Sequence, residues 1–142
     1  MIASLERLAK GTVLVVDDSA VICEFLRDLL GRHGYETVVA TNGVEGLQQF
    51  DSKPIDVVIA DIFMPEMDGL TLLEHIKHRS PGTPVVLLTA WPSMEETVRA
   101  LGLGASEVFT KPVSPRQILE VVDHLCSGSC AFPVHALRIL SE

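Results

Sequence analysis

Positive charge is scarce in this chain. Eleven Lys and Arg stand against nineteen Asp and Glu, for a net charge of −8 over 142 residues. Binding a nucleic-acid backbone needs clustered cations, so the balance argues against nucleic acid as a direct partner. Much of the acidity is ordinary solvated helix surface. Aromatics are also few, at 5%, while hydrophobic residues make up 47%, which suits a sheet rich in Val, Ile, Leu and Ala. No apolar stretch approaches the length of a membrane span. Residues 1–10 lack the apolar core of a secretory signal, and their Leu5 and Leu8 suggest a short amphipathic lead-in. The expected location is cytoplasmic. Cysteine is limited to Cys23, Cys126 and Cys130, without a CxxC pair, so these read as buried or surface thiols. His124, Cys126, Cys130 and His135 fit no common zinc-ligand spacing. Internal repeats and low-complexity segments are absent.

What is present is an alternation of short apolar runs and amphipathic segments in a chain sized for one domain. Apolar runs flanked by turn formers mark buried parallel strands at Val13–Val16, Ile55–Ala60 and Val85–Leu88. A strand at Tyr35–Ala40 and a short one near Glu107–Phe109 complete five. Helices are expected over Ala20 to about Arg32, from Asn42-Gly43 to about Phe50, Gly69 to about Lys77, Ser93 to Leu101, and from Ser114-Pro115 onward. Ser19, Asp68 and Ser93 are natural N-caps, and Pro115 suits a first helical turn. Five β-α units predict an α/β fold with right-handed crossovers. Ser127-Gly128-Ser129 breaks the pattern, which divides the chain into a lead-in at 1–10, one domain at 11–126 and a tail or linker at 127–142. Leu137, Ile139 and Leu140 make the tail apolar enough for an extra helix or self-association, with a disordered tail or linker as the alternatives.

Acidic residues fall where the chemistry of such sheets gathers, at the carboxyl ends of strands. Asp17 and Asp18 follow the first run, Asp61 follows the third strand, and Lys111 follows the fifth. Two carboxylates about 4 Å apart repel by roughly 4 kcal/mol at an effective dielectric near 20. A divalent cation relieves that repulsion, and hard oxygen ligands favour Mg²⁺, with Mn²⁺ as an alternative. Taken singly, each residue has a plain explanation: an Asp pair capping a turn, a strand-end threonine, a solvated lysine. What the plain explanations leave unaccounted for is the shared spacing.

Five collinear pieces carry a family resemblance: Asp17-Asp18, the segment Asp61-Ile62-Phe63-Met64-Pro65-Glu66-Met67-Asp68-Gly69, Leu87-Leu88-Thr89-Ala90, Gly104-Ala105, and Lys111-Pro112. Over roughly residues 11–126 the chain resembles the receiver domains of two-component response regulators, chemotaxis-type single-domain receivers included. The resemblance implies a flavodoxin-like, doubly wound five-stranded parallel sheet of order 2-1-3-4-5 with five surrounding helices. It implies Mg²⁺-dependent transfer of a phosphoryl group to Asp61 from a histidine kinase or phosphotransfer protein. Asp17, Asp18, Asp61 and the backbone carbonyl of Phe63 would hold the metal, while Lys111 and the Thr89 hydroxyl would meet phosphoryl oxygens. The bond before Pro112 would be cis. Output would run through protein contacts on the face of the fourth helix, fifth strand and fifth helix, including a phosphorylation-dependent homodimer.

The main alternative is that this is the receiver piece of a longer regulator with a DNA-binding or enzymatic output domain. A haloacid dehalogenase-type phosphatase would also use a strand-end Asp but needs an acid two residues later, where Phe63 stands. A flavodoxin-like electron carrier would need a Ser/Thr/Gly-rich loop where Asp17-Asp18 would repel phosphate. Two departures from the usual receiver pattern stand out. Val108 lies three residues before Lys111, where the family most often has Tyr or Phe, and alternation sends Phe109 to the opposite face. Phe63 and Trp91, two residues after Asp61 and Thr89, would flank the phosphoryl group and keep water from it.

Overall fold

The computed structural model describes residues 9–91 and 93–127. The lead-in leucines Leu5 and Leu8, the tail residues Leu137, Ile139 and Leu140, and Cys130 and His135 of the zinc reading lie outside these residues. Five strands alternate with five helices: β1 Gly11–Val16, α1 Ala20–Arg32, β2 Tyr35–Ala40, α2 Gly43–Ser52, β3 Val57–Asp61, α3 Gly69–Arg79, β4 Val85–Thr89, α4 Met94–Gly102, β5 Glu107–Thr110 and α5 Pro115–Cys126. All neighbouring strands are parallel, in the order β2-β1-β3-β4-β5. This is the α/β fold expected from the alternation, in the flavodoxin-like, doubly wound form that the family resemblance implies.

Alternation along the strands builds two cores. Leu14, Val16, Val58, Ala60, Val85 and Leu87 join Leu72, Leu73 and Ile76 of α3 and Ala100 of α4 on one face. Val13, Val15, Val57, Ile59, Val86, Leu88 and Phe109 join Leu26 and Leu30 of α1 and Ile118, Val121 and Val122 of α5 on the other. Every residue of β3 and β4 is buried, which is why those strands read as unbroken apolar runs rather than alternating ones.

Five helix starts are closed by a side chain that accepts a backbone N–H in the first turn: Ser19, Asn42, Asp68, Ser93 and Ser114. Each such cap stabilises by about 1 kcal/mol. Asn42, which reads as a turn residue in the sequence, serves as a cap, and its oxygen accepts from Glu45 at 2.8 Å. Strand β3 starts at Val57 rather than Ile55. The Asp56 carboxylate takes the Thr12 N–H at 2.8 Å, so a side chain stands in for a strand carbonyl there.

Sheet order places the site. β1 connects outward to β2 while β3 pairs with its other edge, so the chain reverses direction across the sheet between β1 and β3. At such a switch point the loops after two adjacent strands splay apart and leave a crevice. The residues after β1 and at the end of β3 are the acidic ones.

Candidate functional site

Asp17 sits directly after β1 and is 1% exposed; Asp61 ends β3 and is 7% exposed. Asp18 is exposed. Carboxylate oxygens of the three lie within 4.8 Å of one another. The Lys111 ammonium, reaching from the residue after β5, donates to Asp17 Oδ2 at 2.9 Å and to Asp61 Oδ2 at 3.1 Å. The four residues drawn together from the sequence therefore form one cluster. The ammonium thus lies beside the Asp61 oxygen to which the resemblance assigns the phosphoryl group.

One ammonium does not balance three carboxylates. Burial, the largest effect, pushes the Asp61 carboxyl above its ordinary range, and the Asp17 charge adds to the rise. The Lys111 bond and charge, and the Phe63 amide, pull the other way without cancelling it. Burial also works against the charge of Lys111, but Asp17 and Asp61 outweigh it and hold the ammonium above the usual lysine value. The cluster thus retains an excess of negative charge among hard oxygen donors, with exposed Asp18 leaving one side open to water. Those features fit a small divalent cation that keeps part of its hydration.

Backbone contacts fix the carboxylates in place. Ser19 N–H donates to Asp17 Oδ1 at 2.9 Å, and Phe63 N–H donates to Asp61 Oδ1 at 3.3 Å. Gly69, at the start of α3, lies so close to β3 that an added Cβ would collide with the Asp61 carbonyl oxygen. Only glycine permits that approach, and it ties α3 to the end of β3 through a Gly69 N–H to Ile62 carbonyl bond of 2.7 Å.

Thr89 ends β4 and is 2% exposed. Its hydroxyl oxygen accepts the Trp91 backbone N–H at 3.1 Å, and its carbonyl accepts the Lys111 N–H at 2.8 Å. The Lys111–Pro112 bond is cis. Phe63 and Trp91 are exposed, at 44% and 76%. Val108 packs half-buried against the α3–α4 core while Phe109 is buried in the α1–α5 core, so the two residues do face opposite sides of the sheet.

Two site contacts escaped sequence reasoning. Ser19 was recognised as a cap but not as a donor to Asp17. Cys23 reads in the sequence as a buried or surface thiol; its Sγ lies 3.2 Å from the Asp17 carbonyl oxygen, to which it donates. Burial, followed by the Asp17 charge, raises the Cys23 thiol above its usual value and keeps the proton on sulfur. The available signal was spacing: Cys23 stands one helical turn past the Ser19 cap, facing the core beneath the end of β1.

A sequence profile of the response regulator receiver domain matches residues 13–123. The chain therefore belongs to the response regulator receiver domain family, a signalling family rather than a conventional enzyme family, in which phosphorylation and Mg²⁺ are characteristic. That membership sets aside the phosphatase and electron-carrier readings. Transcriptional regulatory protein ZraR of Klebsiella oxytoca is 41% identical over 101 residues, covering 71% of this chain and 23% of that protein. Regulator of RpoS of Escherichia coli (strain K12) is 37% identical over 114 residues, covering 80% of this chain and 34% of that protein. The chain spans about a quarter to a third of the length of these curated relatives. A CheY-like response regulator receiver domain protein from Methanospirillum hungatei JF-1 aligns with a TM-score of 0.80 at 31% identity, covering 83% of this chain and 94% of that one. No helix among the described residues is long and apolar enough to cross a membrane.

Proposed function

We propose that Asp61 accepts a phosphoryl group from the phosphohistidine of a sensor kinase or phosphotransfer protein, or from a small donor such as acetyl phosphate. The observation that carries this reading is the Lys111 ammonium held between Asp17 and Asp61, at 2.9 and 3.1 Å, inside a three-carboxylate cluster. An Asp61 oxygen attacks phosphorus. The bond to the imidazole nitrogen, or to the acetate oxygen, breaks and its electron pair leaves with that group. The transition state spreads charge over the equatorial oxygens, so catalysis is mainly positioning and charge neutralisation. Lys111 is already within reach of whatever is attached to Asp61, and turns from the carboxylate to a phosphoryl oxygen. The Thr89 hydroxyl donates to another. Asp17, Asp18, Asp61 and the Phe63 carbonyl would hold Mg²⁺, or Mn²⁺ in its place, which when bound neutralises charge on the transferring phosphoryl oxygens. Phe63 and Trp91 offer bulk and no hydrogen bond to an attacking water, which favours a long-lived acyl phosphate.

The domain doing this work is residues 11–126, acting in the cytoplasm. Its output partner is a protein, met on the α4, β5 and α5 face, with a phosphorylation-dependent homodimer as one form. The acidic charge leaves no direct role for nucleic acid at this domain. A second reading is favoured by the share of the relatives that the chain covers: the domain serves as the receiver of a longer regulator whose output is DNA-binding or enzymatic. Intact mass after incubation with acetyl phosphate and Mg²⁺ tests the chemistry. One added phosphoryl group is expected, lost with chelator and in Asp61→Asn. Labelling that persists in Asp61→Asn would overturn the assignment.

A further inference from the structure

The Asp17 carboxylate can serve a metal only if its backbone stays put, and the structure shows four restraints on this residue. Its N–H donates to the Ala40 carbonyl at 3.1 Å as β1 leaves the sheet. Its Oδ1 takes the Ser19 N–H and its Oδ2 takes Lys111. Its carbonyl oxygen takes the Cys23 thiol at 3.2 Å. The first three bonds come from the sheet, the helix cap and the ion pair, and would form with many residues at position 23. The fourth depends on that one side chain.

Cys23 is 5% exposed and packs in the α1–α5 core with Val15 and Leu26. It therefore links three things: the floor of α1, the end of β1, and the peptide that joins Asp17 to Asp18. The orientation of that peptide is set by ψ of Asp17 and φ of Asp18, so fixing its carbonyl restrains the backbone of both residues. A buried carbonyl deprived of its donor turns toward any other donor it can reach, and here it would carry the Asp17–Asp18 turn with it. A thiol is a weak donor, but a buried bond of this kind is directional, and outer partners of metal ligands govern affinity by holding the ligands in place.

We propose that Cys23 is a positioning residue for the metal site, acting through the Asp17 carbonyl to hold Asp17 and Asp18 in a cation-binding arrangement. The proposal rests on the function proposed above. It assigns Cys23 no contact with metal or phosphate and no redox chemistry. Its consequence is specific: losing the S–H donor should weaken Mg²⁺ binding while leaving phosphoryl transfer intact once the cation is saturating.

The experiment titrates Mg²⁺ into the full chain by calorimetry, for wild type, Cys23→Ser, Cys23→Ala and Cys23→Val, alongside thermal melts of each without metal. Serine keeps a donor; alanine and valine remove it, and valine preserves bulk where alanine leaves a void. Partners that orient metal ligands commonly govern affinity by 10–100-fold, and a thiol acting on a backbone carbonyl should give about 3–10-fold weaker binding in Cys23→Ala and Cys23→Val. Cys23→Ser should stay within about two-fold of wild type, well short of that range. Labelling by acetyl phosphate at saturating Mg²⁺ should reach the wild-type extent in all four. Unchanged Mg²⁺ affinity in Cys23→Val overturns the proposal, as does equal weakening in Cys23→Ser and Cys23→Val, which would point to packing. Wild type that binds no Mg²⁺ at all would instead sink the function on which the proposal rests.

Discussion

Replacing Asp61 with asparagine should make the metal-free protein more stable. Asp17 and Asp61 oxygens lie within 4.8 Å, which corresponds to a repulsion of at least about 3.5 kcal/mol at an effective dielectric near 20. The attraction of Asp61 to Lys111 at 3.1 Å is about 5 kcal/mol on the same footing. Adding the screened contribution of exposed Asp18 brings these terms close to balance, and the cost of burying the charge decides the sign. That is the direction already seen in the raised Asp61 carboxyl. The asparagine amide fills the same space without the charge, and Lys111 keeps Asp17. We expect Asp61→Asn to gain about 1–2 kcal/mol, or about 4–8 °C in Tm for a domain of this size. The sign with pH follows from the raised value. A carboxyl whose folded pKa exceeds its unfolded value favours folding when protonated. Its contribution is fully present below the unfolded value of 3.8 and is lost as pH rises through the folded value. The advantage of Asp61→Asn should therefore be greatest at neutral pH and shrink on acidification toward 3.8. Mg²⁺ should reverse the ranking by stabilising wild type in proportion to its binding. Thermal melts by circular dichroism in chelator, across a pH series and then with Mg²⁺, provide the test. An Asp61→Asn variant that melts at or below wild type at neutral pH without metal would refute the account of the cluster.

Lys111→Ala should be destabilised by about 3–5 kcal/mol in urea titrations without metal, because it leaves two buried carboxylates without their partner; Mg²⁺ should recover part of the loss. Phe63→Asn with Trp91→Glu should shorten the life of phospho-Asp61 by roughly ten-fold or more, since it supplies polar groups that orient water; both side chains are exposed, so the melting temperature should hardly move. Trp91 is the single tryptophan, and its backbone N–H is bonded to the Thr89 hydroxyl. Beryllofluoride with Mg²⁺ should change its fluorescence in wild type and leave Thr89→Ala unresponsive; an equal response in both would break the proposed link. In paired structures with and without beryllofluoride, the larger change should fall between Ala90 and α4, with Val108 keeping its rotamer.

The fold was legible because burial on both faces of the sheet leaves apolar runs that turn residues cut cleanly, and because Ser19, Asp68, Ser93 and Ser114 announce their helices. Strand starts were less so. Just before β3, Asp56 meets Thr12 of β1 through its carboxylate as well as its backbone N–H, a role that a period-two pattern cannot express. Within the site, Asp17, Asp18, Asp61 and Lys111 could be brought together from strand ends alone. Val108 and Phe109 fell on their expected faces, as strict alternation requires. Cys23 stayed hidden because its partner is a backbone carbonyl, and every residue has one.

The helices that follow β3 and β4 are anchored unequally. On the α3 side, Gly69 is wedged against the Asp61 peptide, and Leu70, Leu72, Leu73 and Ile76 are buried behind it. With each buried aliphatic side chain contributing about 1.5–3 kcal/mol, sliding that helix would forfeit several kcal/mol. On the same face of the sheet, α4 buries Ala100 alone and leaves Met94, Val98 and Leu101 exposed. Displacing α4 therefore forfeits far less buried apolar surface than displacing α3. That asymmetry of anchoring leaves α4 the cheaper of the two helices to move.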